Sequence, residues 1–263
     1  MKNSKTTLII LLSVILSISA IAQTVKINKN PKSSVKLKLL NQENGTNGSS
    51  VAYNTDKKIY YAVIAGNSSY PLETFDINGK QLNSKQAGGD MRGMWYNSST
   101  KSIEFNGYDD GGYNSISLNS SGFPEENITN IVSGKNQPSE NSCGVYEPIN
   151  KEVIFYSEGS IYFYNSKNGK EKRIVHLQDI PTDLENINSN SLIYTGSSKN
   201  EIGLLNFNTK EVYLFDANNG NYSGKITLPE NAVTHSMFWF AYANGNIFLY
   251  NSETRTWTGY KVL

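Results

Sequence analysis

The sequence predicts an all-β protein in which four-stranded antiparallel units repeat five times and close into a ring. Three observations support this. A tyrosine within a short apolar stretch recurs at Tyr53, Tyr96, Tyr146, Tyr194 and Tyr242, at intervals of 43, 50, 48 and 48 residues. An aliphatic residue opens a second stretch 5 to 8 residues later each time, at Ile59, Ile103, Val153, Ile202 and Ile247. Turns rich in Asn and Gly (INGK, NSSGF, SKNGK and ANNGN) then follow a third stretch in the first four units.

Taken in order, the chain opens on a segment read as an export leader, residues 1–22. Lys2 and Lys5 precede an apolar run, TLIILLSVILSISAIA, and Ala20-Ile21-Ala22 supplies the small-x-small pattern that signal peptidase accepts. The run falls short of the roughly 20 residues a spanning helix needs. Residues 23–263 are therefore expected to form one domain without a membrane span, in the periplasm or outside the cell. Next comes SVKLKLLN, residues 34–41, where Val35, Leu37 and Leu39 alternate with polar residues as on a half-buried strand.

Each unit then supplies an inner strand around its tyrosine (SSVAYN, RGMWYN, CGVYEP, SLIYTG, WFAYAN). A second strand follows across a tight hairpin (KIYYAVIA, SIEFNGY, EVIFYSE, EIGLLNFN, NIFLYNSE), and then a third (LETFDI, NSISLN, IYFYNS, EVYLFD, WTGYKVL). Asn-Gly tolerates positive φ and makes hairpin turns whose twist suits antiparallel strands. The fourth, more polar strands are KQLNSKQ, ENITNIV, EKRIVHL and NYSGKITL. The fifth unit ends at Leu263 after three strands, so residues 34–41 are assigned as its missing outer strand, joining the two ends of the chain. A six-bladed ring with one degenerate unit is the alternative. Units of this kind at a period of about 47 residues are the blades of a β-propeller, each burying its faces only against its neighbours.

The units resemble those of the β-propeller superfamily over nearly all of residues 23–263. YLFDANNGNYSGKI resembles the strand-turn-strand of YVTN-type and quinoprotein-like repeats, and YNSETRTW resembles the end of a kelch repeat. The blade-terminal tryptophan of quinoproteins is missing from the first four units and the paired glycines of kelch are absent, so no cofactor is expected from the resemblance.

Composition narrows the partners. The chain has 24 Lys and Arg against 23 Asp and Glu, and two of the lysines belong to the leader. No basic field exists to hold nucleic acid or an anionic membrane. Cys143 is the single cysteine, so the chain cannot form an internal disulfide and its stability must come from burial. His176 and His235 fall on different parts of different units, with no third ligand for zinc. The acids of DINGK and DANNGN lack the glycine and the bidentate acid at the spacing of a calcium loop and are read as turn residues. No metal site is expected.

The repeat tyrosines are expected to pack between blades rather than to face the channel. Binding is instead assigned to the long connections between outer and inner strands, which emerge on one side of the ring and are the natural place for variation. They carry Asp90, Arg92, Glu140, Asn188 and His235 toward one mouth, with Trp239 just inside. The expected function is an exported, monomeric, non-catalytic binding or scaffold protein for a protein or carbohydrate ligand. The alternative is a glycoside hydrolase of a five-bladed class, with Asp90 and Glu140 as opposed carboxylates.

Overall fold

The computed structural model describes residues 26–40 and 45–263, so the leader read at residues 1–22 lies outside the described residues. The described strands form five four-stranded antiparallel sheets. β1 (Ser33–Lys38) comes first. Blade 1 follows as β2 (Asn47–Asn54), β3 (Ile59–Ala65), β4 (Pro71–Phe75) and β5 (Gln81–Gln86). Blade 2 is β6 (Met91–Asn97), β7 (Ser102–Gly107), β8 (Tyr113–Leu118) and β9 (Pro124–Val132). Blade 3 is β10 (Val145–Glu147), β11 (Glu152–Ser157), β12 (Ser160–Asn165) and β13 (Glu171–His176). Blade 4 is β14 (Ile193–Tyr194), β15 (Ile202–Asn206), β16 (Glu211–Phe215) and β17 (Tyr222–Thr227). Blade 5 consists of β18 (Phe240–Ala243), β19 (Asn246–Asn251) and β20 (Thr256–Lys261), with β1 as its outer strand. The protein is a five-bladed β-propeller.

Closure follows from the alternation of β1. Leu37 lies opposite Trp257 and Val35 opposite Gly259 in the β1–β20 ladder. Val35, Leu37 and Leu39 are buried, while Lys36 and Lys38 face outward, as the two-residue period of a strand requires. The outer strand expected over residues 34–41 is thus made by Ser33–Lys38, and the ring closes with five blades rather than six. Among the described residues no helix is long and apolar enough to cross a membrane.

Position within the blade decides burial. The second strands β3, β7 and β15 are covered on both faces and buried throughout, which is why IYYAVIA reads as an unbroken apolar run. The outer strand β5 alternates half-buried and exposed residues. A separate apolar cluster fills each gap between blades. The one at the closure packs Leu37, Leu39, Tyr60 and Phe75 against Phe248, Tyr250 and Trp257.

Near the axis, polar groups join the blades. Asn106 is fully buried, and its Oδ1 accepts the N–H groups of Gly93 and Gly144, both at 2.9 Å. Its Nδ2 donates to Gln137 Oε1 at 2.6 Å and to the Ser142 carbonyl at 2.8 Å. The inner strands of blades 2 and 3 meet so closely here that a Cβ on Gly93 would stand 2.0 Å from the Gly144 carbonyl oxygen. β10 and β14 are short for a related reason. Just before them the Cys143 N–H bonds across to the Asn190 carbonyl at 2.8 Å, linking two blades instead of extending one. The turns at Asp76 and Asp216 are hairpins in which each carboxylate accepts backbone N–H groups of its own turn.

Candidate functional site

The connections between blades, with Arg92 at the start of β6, bring all six sequence-predicted site residues into one linked set at one end of the channel. Arg92 is the anchor of the first half. Its guanidinium pairs with the Asp90 carboxylate, with Nη2 donating to Oδ2 at 3.1 Å, and Asp90 Oδ1 also accepts the Gly66 N–H at 2.7 Å. Tyr108 then connects Arg92 to Glu140. Its ring lies 4.8 Å from the guanidinium carbon, and its hydroxyl donates to Glu140 Oε2 at 2.9 Å.

The second half gathers on Phe238. Asn188 is fully buried and donates through Nδ2 to the carbonyls of His235 and Phe238, at 3.0 and 2.8 Å. His235 stacks on Trp239 at 4.2 Å between ring centres, and Trp239 Nε1 donates to the Thr46 carbonyl at 3.0 Å. Arg92 joins the halves by resting 5.6 Å from the Phe238 ring. Phe238 packs with Ala65 and Cys143. Phe238 and Trp239 adopt consecutive left-handed backbone conformations, φ +51° and +56°, which bulky residues rarely accept. Tyr108 and Phe238 were missed in the sequence. Neither recurs between units, and only folding shows that both lie against Arg92.

The open space lies further along the channel. A cavity of about 350 Å³ extends from Ser49 and Cys143 to Thr55, Pro148 and Asn244, on the turns between first and second strands. All five repeat tyrosines line it: Tyr53, Tyr96, Tyr146, Tyr194 and Tyr242. This corrects part of the sequence reading. Each tyrosine does pack against the apolar cluster between its own blade and the preceding one. Each is also only half-buried and borders the channel. The physical reason is the narrow radius. Where inner strands approach as closely as Gly93 and Gly144, no phenol fits wholly between them.

The cavity is neutral within. Its remaining walls are mostly apolar, including Val51, Met94, Leu192 and Phe240, and among the described residues its lining holds no carboxylate, imidazole or amine. Trp95 and Tyr146 form a stacked pair in the wall, 5.9 Å apart at 14°. Trp95 is held by the buried carboxylate of Glu104, which accepts its Nε1–H at 3.1 Å. Burial raises the pKa of all five ring tyrosines. It pushes Tyr96 up to about 12, aided by the hydrogen bond its hydroxyl donates to Asp56. The phenols therefore stay protonated across the physiological range. The hydroxyls of Tyr53 and Tyr242 have no protein partner among the described residues, burial alone acting on them. Burial also pushes the Cys143 thiol up to about 11, despite the nearby Arg92 charge, which leaves it a poor nucleophile. Outside the mouth, Lys58, Lys101, Lys151 and Lys199 occupy equivalent exposed turn positions with left-handed φ of 56° to 65°.

No protein-family model and no curated protein matches the sequence. Among solved structures, the chain is similar to a glutaminyl cyclase from Myxococcus xanthus, with a TM-score of 0.59 and 12% identity over 90% of this chain and 98% of that one. It shows weaker likeness to a chain of a nidogen–laminin complex, with a TM-score of 0.47 and 9% identity over 72% and 66% of the two chains. A functionally unknown protein from Desulfotomaculum acetoxidans gives a TM-score of 0.45 and 10% identity over 70% and 73%. At 12% identity the likeness to the cyclase is one of fold alone.

Proposed function

We propose that the protein is an exported, non-catalytic binding module that holds its ligand in the axial cavity ringed by the repeat tyrosines. The single observation behind this reading is the cavity itself. Its volume of about 350 Å³ lies at the small end of the usual ligand-pocket range, and all five blades contribute to its lining. Acid–base catalysis requires a group that moves a proton at the reacting atoms, and the lining offers only phenols and a thiol with raised pKa. That counts against carrying over the cyclase activity of the Myxococcus protein. The glycosidase alternative needs two free, opposed carboxylates. Asp90 is instead paired with Arg92, and Glu140 accepts the Tyr108 hydroxyl.

A second reading places binding on the opposite face, around Asp90, Arg92, Glu140, Asn188, His235 and Trp239. The strained Phe238-Trp239 backbone and the exposed Tyr108 and Met237 favour it. One experiment separates the readings. A library of uncharged fragments is screened by ligand-observed NMR, and hits are re-measured on Tyr53→Phe plus Tyr242→Phe and on Tyr108→Ala. Loss in the first variant supports the cavity, and loss in the second moves the site to the loop face. Turnover of nitrophenyl glycosides or of a peptide with N-terminal glutamine would overturn the non-catalytic reading.

A further inference from the structure

We infer that the cavity selects a neutral aromatic group bearing one or two hydrogen-bonding atoms, such as a phenol or an indole, and rejects sugars. This rests on the cavity reading above and adds the ligand class. Seven aromatic side chains border the space: the five ring tyrosines, Trp95 and Phe240. Aromatic rings pack well edge-to-face or offset against such walls, and the Trp95–Tyr146 stack shows that the wall already holds rings in that way. No charge inside the lining compensates a charged ligand, so an ion would lose its hydration without a partner.

The supply of free hydrogen-bonding groups decides between aromatic and sugar. Ser49 and Ser50 are committed to the carbonyls of Met91 and Met94, both at 3.2 Å. The hydroxyls of Tyr96 and Thr55 are committed to Asp56 at 2.9 and 3.5 Å. Those of Tyr146 and Tyr194 are engaged by Ser166 and Glu147, and Asn244 Nδ2 donates to the Tyr60 hydroxyl at 2.8 Å. Tyr53 and Tyr242 remain, the two lining hydroxyls without protein partners among the described residues. A phenol or indole needs no more than that. A hexose brings several hydroxyls, and each one buried without a partner weakens binding by about tenfold or more. The match is to one or two polar atoms on an otherwise apolar ring.

The test uses the full protein and named probes: p-cresol, 3-methylindole, toluene, N-acetyltyrosinamide and methyl β-glucoside, by calorimetry and ligand-observed NMR. Dissociation constants on the order of 0.1–1 mM are expected for p-cresol and 3-methylindole, the usual range for fragments of this size. Tyr53→Phe and Tyr242→Phe keep the rings, and unchanged melting temperatures show that the fold survives. Each should weaken p-cresol by about three- to tenfold, the worth of one hydrogen bond, and leave toluene unchanged. Binding of N-acetyltyrosinamide would identify an aromatic side chain of a protein partner as the source. Its exclusion alongside p-cresol binding would identify a free small molecule. The inference fails if p-cresol and 3-methylindole do not bind, if both Phe variants leave p-cresol unaffected, or if methyl β-glucoside binds more tightly. Glucoside binding lost in the Phe variants would still leave the cavity as the site, so the ligand class and the cavity reading can fail separately.

Discussion

If β1 closes the ring, then Leu37, remote in sequence from β18, β19 and β20, should behave as one of the core residues of blade 5. Leu37 is fully buried in the cluster with Phe248, Tyr250 and Trp257, whereas Leu40, three residues on, is 56% exposed. Truncating a buried leucine to alanine costs about 2–5 kcal/mol, combining lost transfer energy with the cavity left behind. Leu37 is packed between rigid aromatic rings that cannot collapse inward, so a central figure of about 3 kcal/mol is appropriate. For a domain of this length each kcal/mol lowers the melting temperature by about 2–4 °C. Leu37→Ala should therefore melt roughly 6–12 °C below the parent protein, and Leu40→Ala within about 1 °C of it. The assay is calorimetric melting of the two variants side by side. A chain beginning at Gly45, which exposes the β20 edge, should aggregate. Equal shifts for Leu37→Ala and Leu40→Ala, or a soluble and equally stable shortened chain, would refute closure by β1.

Asn106→Ala strips the acceptor from two backbone N–H groups and the donor from two oxygens. At about 1–3 kcal/mol per group left unsatisfied, partly relieved by water, a loss of about 3–5 kcal/mol is expected in chemical denaturation. A loss below about 1 kcal/mol would show that the blades are not joined there. Alkaline pH should also destabilise the fold. Tyr96, Tyr164 and Tyr250 are held by burial at about 12, against 10.0 for an ordinary phenol. The unfolded chain therefore loses these protons first, and the stability is intact below pH 10 and falls as the pH rises toward 12. Phenolate absorbance and circular dichroism followed together should show these tyrosines ionising with unfolding, and complete ionisation near pH 10 with the fold intact would contradict this. For export, mass spectrometry of the secreted protein should find Gln23, or its pyroglutamate form, at the N-terminus. Recovery of intact Met1 in a membrane fraction would defeat that proposal.

Architecture was legible because it rests on local regularities. The tyrosine period, the Asn-Gly turns and the alternation of Val35, Leu37 and Leu39 each depend on residues close in sequence, and together they predicted five blades and the strand that closes them. The same reasoning placed Asp90, Arg92, Glu140, Asn188, His235 and Trp239 on one mouth, because connections of one type emerge on one side of a ring. It could not show that Arg92 rests on Tyr108 and Phe238, or that the cavity lies toward the other end. Those facts depend on the radius at which five inner strands meet. One buried asparagine and a glycine pair bring two of those strands almost into contact. The repeat itself, and hence the fold, was determined by spacing along the chain. Whether each repeated tyrosine served only the core or also lined a binding cavity was decided by tertiary structure, because the gap between neighbouring strands exists only once the ring has closed.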